Sequence, residues 1–420
     1  MSTETLGRAG AAAPASAAAP VVTGIGVVAP NGLGTEAWWG AVLRGESGIR
    51  PVTRFDPGQY PARLAGEVPG FDPAEHIPSR LLPQTDHMTR LALVAAEEAL
   101  ADAGVDPAEL PDYAAGVITA SSAGGFEFGQ RELEALWSKG GQYVSAYQSF
   151  AWFYAVNSGQ ISIRNGLRGP SGVLVTEQAG GLDAVAQARR QLRGGVRLLV
   201  TGGVDSSLCP WGWVAHLAGG ELSTADDPER AFLPFSPDAA GHVAGEGGAL
   251  LVLEDADAAR ARGATAYGTV AGYASTFDPA PGSGGAPRLG AAAELALRQA
   301  GVAPDEVDVV FADAAGRRAA DREEARAVAS LFGEYGVPVT APKTMTGRLS
   351  AGGASLDLAA AFLALRDGVI PPTTGTGTPA EDCPVDLVTA PRRPARLRTA
   401  LVLARGRGGF NAAMVVRSAP

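Results

Sequence analysis

Short β-branched strands alternate with longer alanine-rich helices along almost the whole chain, and this alternation constrains the fold more than any other feature. The strand-like runs in the first half lie at 21–28, 116–120, 173–176, 196–201 and 247–253. Those in the second half lie at 267–274, 307–311, 337–341, 385–390, 399–404 and 412–417. Such alternation predicts an α/β fold in which mixed sheets are buried between helices.

The spacing of these segments has a rough two-fold rhythm that breaks near 255–265. We therefore predict two similar halves, residues 20–262 and 263–420, packed together, although the rhythm alone does not prove duplication. Residues 1–19 are low in complexity and lack the bulky apolar centre of a signal peptide. They are expected to form a disordered tail.

The composition is that of a globular protein and argues against several kinds of partner. The 420 residues carry a formal net charge of −10 and a pI near 5.1, which disfavours nucleic acid and anionic membranes. No apolar run approaches the roughly 20 residues that span a bilayer. Cys209 and Cys383 are too few for a disulfide scaffold and lack metal-ligand spacing, so we expect a reducing, cytoplasmic compartment and no metal.

The residue of greatest functional interest is Gln178. It lies in Val173-Leu-Val-Thr-Glu-Gln-Ala-Gly-Gly-Leu-Asp-Ala-Val-Ala-Gln-Ala188, which predicts a strand, a sharp turn and a helix. A residue at such a turn lies at the positive end of the helix dipole, a position that suits a thiolate or a developing oxyanion. The amide of Gln178 can neither ionise nor attack, so the position of a nucleophile holds no nucleophile.

Several segments together resemble the β-ketoacyl synthases of the thiolase-like group. They are Val22-Thr-Gly-Ile-Gly-Val-Val-Ala-Pro-Asn-Gly32, Phe235-Ser-Pro-Asp-Ala-Ala-Gly-His-Val-Ala-Gly-Glu-Gly-Gly-Ala249, Lys343-Thr-Met-Thr-Gly347 and Gly408-Gly-Phe-Asn-Ala412. The turn Thr176-Glu-Gln-Ala-Gly-Gly-Leu-Asp183 resembles the Gln-bearing subunit of aromatic (type II) polyketide synthases, the chain length factor. The resemblance covers residues 20–417 and implies a five-layer αβαβα sandwich made of two similar halves.

The resemblance also implies which catalytic groups are missing. Active members carry a cysteine that takes the acyl chain and two histidines that hydrogen-bond the malonyl thioester. Gln178 stands at the cysteine position, and Ala315 and Arg348 stand at the histidine positions. Lys343 is retained, while Arg407 replaces a family aromatic. We therefore expect that this chain has no catalytic residue of its own.

The resemblance further implies a tunnel at the subunit boundary that receives the growing polyketide. Its positions correspond to Phe126, Gly129 and Leu133, and spacings of three and seven place all three on one helix face. Trp211 belongs to the same site, and Phe150 corresponds to an aromatic that crosses the dimer boundary. Because Gly129 and Leu133 are smaller than the residues of some members, we predict a product longer than about eight acetate units. The alternative is that these side chains only pack the core.

These features predict a non-condensing chain length factor in aromatic polyketide (antibiotic or pigment) biosynthesis. It would form a heterodimer with a cysteine-bearing ketosynthase and bind no cofactor directly. Malonyl units would arrive on the phosphopantetheine of an acyl carrier protein. Two alternatives stay open: a malonyl-carrier-protein decarboxylase in which Gln178 hydrogen-bonds the thioester, and a homodimeric acyltransferase with an unorthodox nucleophile. The other interpretation of Gln178, which the sequence favours, is that it fills a vestigial pocket and keeps the turn packed.

Three other features receive structural interpretations. Cys209 precedes Pro210, no helix is expected to begin there, and a small buried thiol is predicted. The run Gly24-Ile-Gly-Val-Val-Ala29 mimics a dinucleotide-binding fingerprint, but a Pro-Asn-Gly turn breaks the expected helix. None of the four histidines occupies a catalytic position, and we predict structural or surface roles for all of them: His76, His87, His216 and His242.

Overall fold

The computed structural model describes residues 19–280 and 282–419, so the predicted tail lies, apart from Ala19, outside the described residues. The strands of the first half are β1 (Val21–Ala29), β2 (Gly32–Leu33), β3 (Ile49–Pro51), β4 (Leu64–Gly66), β5 (Ala115–Ala120), β6 (Ser171–Leu174), β7 (Leu198–Asp205), β8 (Ala244–Gly245) and β9 (Gly247–Glu254). Its helices are α1 (Thr35–Arg44), α2 (Pro73–His76), α3 (His87–Asp102), α4 (Phe126–Lys139), α5 (Gln148–Ala151), α6 (Val156–Asn165), α7 (Gly180–Leu192), α8 (Pro210–Ala218) and α9 (Ala256–Ala261).

The second half has fewer elements. Its strands are β10 (Gly268–Phe277), β11 (Val309–Phe311), β12 (Pro338–Thr340), β13 (Asp386–Leu387), β14 (Thr399–Gly406) and β15 (Phe410–Ser418). Its helices are α10 (Leu289–Ala300), α11 (Arg318–Phe332) and α12 (Gly353–Asp367).

The strand order shows that the two halves share one topology. The main strands of the first half lie in the order β6-β5-β7-β9-β1, and those of the second lie in the order β12-β11-β14-β15-β10, with β13 added at the edge. In each half the first three strands are parallel, and the fourth runs antiparallel to both of its neighbours. The rhythm of the sequence therefore corresponds to a repeated strand arrangement. The boundary at 262/263 stays a prediction.

The halves join edge to edge and enclose a buried helix layer. β1 and β10 pair antiparallel through Val21↔Thr269 and Val22↔Gly268. The two halves thus form one continuous sheet, and helices α7 and α12 pack between its halves. Helices α3 and α6 cover the outer face of the first half, and α10 with α11 beside it covers the outer face of the second. The predicted five-layer αβαβα sandwich is confirmed.

Glycines in the first strand of each half let a helix approach closely. A Cβ at Gly24 or Gly26 would overlap the backbone of α3, and one at Gly272 would overlap the carbonyl of Ala296 in α10. The glycine-rich run at 24–29 therefore lies inside β1, where it packs against a helix. It does not form the strand-to-helix turn that binds a dinucleotide.

Helix α12 is the most enclosed helix that the structure describes. Every residue from Gly353 to Leu365 is buried. Its N-terminus lies beneath the turn at Gln178, so the central layer of the sandwich reaches the candidate site directly. No helix in the described part of the chain has the length and apolar character needed to cross a lipid bilayer.

Candidate functional site

The turn at Gln178 joins a strand to a helix, as the sequence predicts. β6 ends at Leu174, a short 3₁₀ turn covers Glu177–Ala179, and α7 begins at Gly180. Glu177 has a φ of 52°, in the left-handed region that non-glycine residues rarely adopt. A strained residue persists only where its surroundings hold it in place.

Asp183 holds this turn from the first part of α7. Its carboxylate accepts hydrogen bonds of 2.5 Å from the hydroxyl groups of Thr176 and Tyr273. Thr176 precedes the turn, whereas Tyr273 lies on β10. These hydrogen bonds connect the turn to the second half. Burial raises the pKa of Asp183, although the two hydrogen bonds act to lower it.

The side chain of Gln178 is buried and points away from the nearby cavity. It is 1% exposed, and a Cβ at Gly353 would overlap its amide. Neither amide atom has a hydrogen-bond partner among the described residues. The amide thus packs against the N-terminus of α12, and only the glycine at 353 leaves room for it.

A cavity of about 380 Å³ lies beside the turn. Its walls include Glu177, Ala315 and Arg348, but neither Gln178 nor Lys343 is among its lining residues. Phe126 of α4 lines the same cavity. The positions of the family's two histidines and the predicted length-setting helix therefore line the same cavity.

The carboxylate of Glu177 occupies backbone donors at the wall of this cavity. It accepts a hydrogen bond of 3.1 Å from the backbone N–H of Arg407 and another from the backbone N–H of Gln178. Burial raises the pKa of Glu177, and the charge of Arg348 partly offsets this rise. Both N–H groups therefore already donate to Glu177 and are not available to stabilise an oxyanion. The sequence analysis missed Glu177; its signal is an acidic residue directly before the turn.

Arg348 is immobilised by a buried carboxylate. Its guanidinium donates to the Asp313 carboxylate at 3.0 Å, to the Asp313 carbonyl at 2.9 Å and to the Arg405 carbonyl at 3.1 Å. Burial by itself would raise the pKa of Asp313, but Arg348 and Arg405 hold that pKa well below its usual range. Because a guanidinium stays charged, Arg348 cannot act as a general base.

Lys343 is also fixed by internal partners. Its ammonium lies 2.7 Å from the Asp357 carboxylate and donates to the carbonyls of Ala312 at 2.6 Å and Asp313 at 2.9 Å. The Lys343 side chain is 3% exposed. Burial raises the pKa of Asp357 to about 6. The retained lysine ties α12 to the segment that carries Ala315.

Two histidines line the cavity, which the sequence analysis did not foresee. His216 Nε2 lies 2.7 Å from the Ser207 hydroxyl, and burial lowers the pKa of His216 to about 4. The pKa of His242 is also well below its usual value, because of burial and the nearby charge of Arg348. Both rings are therefore neutral near pH 7 and offer hydrogen bonds without charge.

The predicted length-setting residues cluster around α4. Phe126 stacks on Trp211 with ring centroids 4.5 Å apart, and the backbone N–H of Trp211 donates to Gln130 at 2.8 Å. Gly129 is buried and Leu133 is half-buried on the same helix. Phe126, Gly129 and Leu133 thus all lie on α4, and their role in setting product length stays a prediction.

An aromatic neighbour of this group escaped the sequence analysis. A Cβ at Gly129 would lie 3.1 Å from the indole of Trp152, and Trp152 also lies against Trp211 with centroids 5.9 Å apart. Phe150, predicted to cross a dimer boundary, is 37% exposed and packs edge-on against Tyr147. The cluster of aromatics at 150–154 was the available signal for Trp152.

The expectation that no helix begins after Cys209 was wrong. Helix α8 begins at Pro210, and Cys209 is its N-cap. Proline suits the first position of a helix because the N–H that it lacks has no partner there. The thiol is nevertheless buried, and burial raises the pKa of Cys209 to about 11. Loss of hydration outweighs the helix dipole, so the predicted inert thiol remains the better interpretation.

The strand, turn and helix around Gln178, which we call the elbow, lie on a five-layer sandwich of two similar halves. This is the architecture of the ketosynthase class of proteins. The Beta-ketoacyl synthase, N-terminal domain family matches residues 19–259, and the Beta-ketoacyl synthase, C-terminal domain family matches residues 267–382. The tetracenomycin polyketide synthase ketoacyl synthase beta subunit of Streptomyces glaucescens is 62% identical over 405 residues, which cover 96% of this chain and 99% of that protein.

Two solved structures share the architecture. The ishigamide ketosynthase/chain length factor superposes with a TM-score of 0.86 at 29% identity, covering 96% of this chain and 99% of that one. The second is a chain from the complex of a type II polyketide synthase acyl carrier protein with its ketosynthase bound to the hexaketide. It superposes with a TM-score of 0.85 at 26% identity, covering 97% of this chain and 100% of that one. The chain belongs to the β-ketoacyl synthase family and, within it, to the ketosynthase beta subunits of type II polyketide synthases, the chain length factors.

Proposed function

We propose that this chain is the non-condensing subunit that sets polyketide length in a type II polyketide synthase. One observation carries the proposal: the family's nucleophile elbow holds Gln178, whose buried amide packs on α12, while Glu177 fills the adjacent backbone donors. Condensation needs an attacking group and a stabilised oxyanion. This elbow offers neither, so the acyl chain is held on another subunit.

The partner is a cysteine-bearing ketosynthase of the same fold. Large apolar side chains between α4 and β6 are exposed, and we call them the aromatic surface: Trp137, Tyr143, Phe150, Trp152, Phe153, Tyr154 and Ile163. Exposed apolar groups in such number mark an interaction site. β6 lies at the open edge of the first sheet, where its free backbone groups can pair with another strand. The solved ketosynthase/chain length factor supports this partner.

Extender units reach the complex on an acyl carrier protein. The solved carrier protein in complex with its ketosynthase supports docking on the partner subunit. The malonyl thioester on the carrier's phosphopantetheine is then condensed on the ketosynthase. This chain supplies the wall that ends extension, formed by Phe126, Gly129, Leu133 and Trp211, with Phe150 at the boundary.

A decarboxylase that acts through Gln178 has less support. A thioester oxygen would need to reach the Gln178 amide, which faces Gly353 and does not line the cavity. The backbone donors nearby are occupied by Glu177. Gln178→Ala therefore leaves carbon dioxide release from malonyl carrier protein unchanged in the purified complex; a loss of tenfold or more would favour the decarboxylase instead.

Coexpression with a ketosynthase and a carrier protein tests the proposal. The two synthase chains are expected to copurify, and mass spectrometry of the product reports its length. Gly129→Phe is expected to shorten the product, because the added ring displaces the neighbouring Trp152 indole toward the growing chain. Leu295→Phe, at an exposed position of α10, is the control for an added aromatic. Chains that do not copurify would overturn the pairing, and an unchanged length would overturn the assignment of α4.

A further inference from the structure

The indole of Trp152 fills the space that a side chain at position 129 would occupy. A Cβ built on Gly129 would lie 3.1 Å from Cδ1, 3.2 Å from Nε1 and 3.3 Å from Cγ of Trp152. These separations are shorter than the 3.5–4.0 Å at which carbon atoms attract best. Glycine at 129 therefore leaves no empty pocket, since it is the residue that lets the indole lie against the backbone of α4.

The backbone that carries Trp152 is docked firmly on the start of the same helix. A Cβ at Gly124 would overlap the carbonyl of Trp152, and a Cβ at Gly125 would overlap the carbonyl of Ala151. Ala151 is completely buried. Because the chain at 151–152 is held against these two glycines, the indole keeps its place relative to Gly129.

Trp152 extends an aromatic wall toward the partner. Its ring lies 5.9 Å from that of Trp211, which stacks at 4.5 Å on Phe126, and Phe126 lines the cavity. Trp152 is 39% exposed and belongs to the aromatic surface that the proposed function assigns to the partner ketosynthase. One side of the indole thus closes the gap at Gly129, and the other remains accessible to a chain arriving from the partner.

We propose that Trp152 is the specificity-determining residue that stops the growing polyketide at this wall. The inference rests on the proposed function and deepens it, because it identifies the side chain that forms the end of the tunnel beside α4. Gly129 acts through Trp152, because the absence of a side chain at 129 leaves room for the indole. A larger residue at 129 displaces the indole. Residues 129 and 152 are therefore coupled, and the effects of changing them are not additive.

Single and double variants of the full chain, each coexpressed with the ketosynthase and carrier protein, test the coupling. Trp152→Ala is expected to lengthen the product by at least one acetate unit, because it removes the wall. Combining Trp152→Ala with Gly129→Leu is expected to bring the length back toward wild type, since leucine occupies the vacated volume. Tyr335→Ala removes an exposed aromatic from the second half and is expected to leave the length unchanged.

The outcomes separate this inference from the proposed function. If the wild-type complex forms and Gly129→Phe shortens the product, but Trp152→Ala gives the wild-type length, the role of Trp152 is wrong and the proposed function stands. If no complex forms with any ketosynthase, the proposed function fails. Should Trp152→Ala not yield a complex, Trp152→Phe and Trp152→Leu decide, because unchanged lengths for both contradict a stop at this side chain.

Discussion

The carboxylate of Glu177 accepts a hydrogen bond of 3.1 Å from the backbone N–H of Arg407, 230 positions further along the chain. The contact joins the elbow of the first half to the hairpin between β14 and β15. The protein's own carboxylate therefore occupies a backbone N–H beside Gln178.

Replacing Glu177 tests the value of that contact. Glu177→Ala leaves two backbone N–H groups without their acceptor and is expected to lower the free energy of unfolding by about 1–3 kcal/mol. Glu177→Gln keeps an acceptor oxygen and should cost less. Urea unfolding of the purified complex at fixed concentration measures both, with the exposed Glu334→Ala as the matched control. Equal stabilities for Glu177→Ala and Glu334→Ala would show that the contact is energetically neutral.

Replacing Arg348 removes the main counter-charge of a buried acid. Asp313 is fully enclosed and would lose one of its two ion-pair partners, keeping Arg405, so Arg348→Met is expected to destabilise the chain by about 3–5 kcal/mol. Arg44→Met breaks an exposed, solvent-screened pair with Glu46 and should change stability very little. Thermal unfolding of the two complexes compares them. A similar small effect for both would mean that water already reaches Asp313.

From the raised pKa of the buried Asp86 carboxyl group we predict that the free energy of unfolding decreases as the pH rises. Asp86 accepts hydrogen bonds from the backbone N–H groups of Met88 and Phe128, and burial raises its pKa to about 6. Between about pH 4 and 6 the folded chain holds this proton more tightly than the unfolded chain, so stability falls as pH rises through that window. Asp86→Asn should make this slope shallower without abolishing it, because burial also raises the pKa of Asp205, Asp321 and Asp357 to about 6. Unfolding free energies of both proteins at several pH values measure it, and parallel curves would contradict the expectation.

From the lowered pKa of Glu246 we predict the opposite, a free energy of unfolding that decreases as the pH falls. Burial by itself would raise the pKa of Glu246, but His87 and Arg54 hold it at about 2. The unfolded chain binds the proton more tightly here, so the stability from Glu246 is present above about pH 4 and is lost as pH falls toward 2. Glu246→Gln should therefore be destabilising at pH 6 and lose most of its effect at the acid end. A constant penalty across this range would be inconsistent with the ion pair.

Cysteine reactivity tests whether a displaced nucleophile exists. Burial raises the pKa of both Cys209 and Cys383 to about 11, so neither is a thiolate near pH 8. A thiol reagent should label almost none of the two thiols in the native chain and both after denaturation. Rapid labelling of Cys209, or an acyl adduct on it by mass spectrometry, would support an acyltransferase with an unorthodox nucleophile.

Local patterns were enough to predict an α/β fold and the strand–turn–helix at Gln178, whereas the five-layer sandwich followed from the family resemblance. The alternation of strands and helices, the turn at Gln178 and the helical spacing of Phe126, Gly129 and Leu133 all depend on neighbours within a few turns of chain. The same is true of the identities at the family's catalytic positions, which are read directly from the sequence. The start of α8 was missed because a proline can either precede a helix or begin one.

Only the tertiary structure decided what these residues touch. Gln178 turns toward Gly353, Glu177 meets Arg407, and Trp152 fills the space at Gly129. The first two contacts join residues more than a hundred positions apart, and the third depends on how the segment at 151–152 docks on α4. Sequence by itself determined that the nucleophile is absent; packing between distant segments determined which atoms occupy the space beside its position.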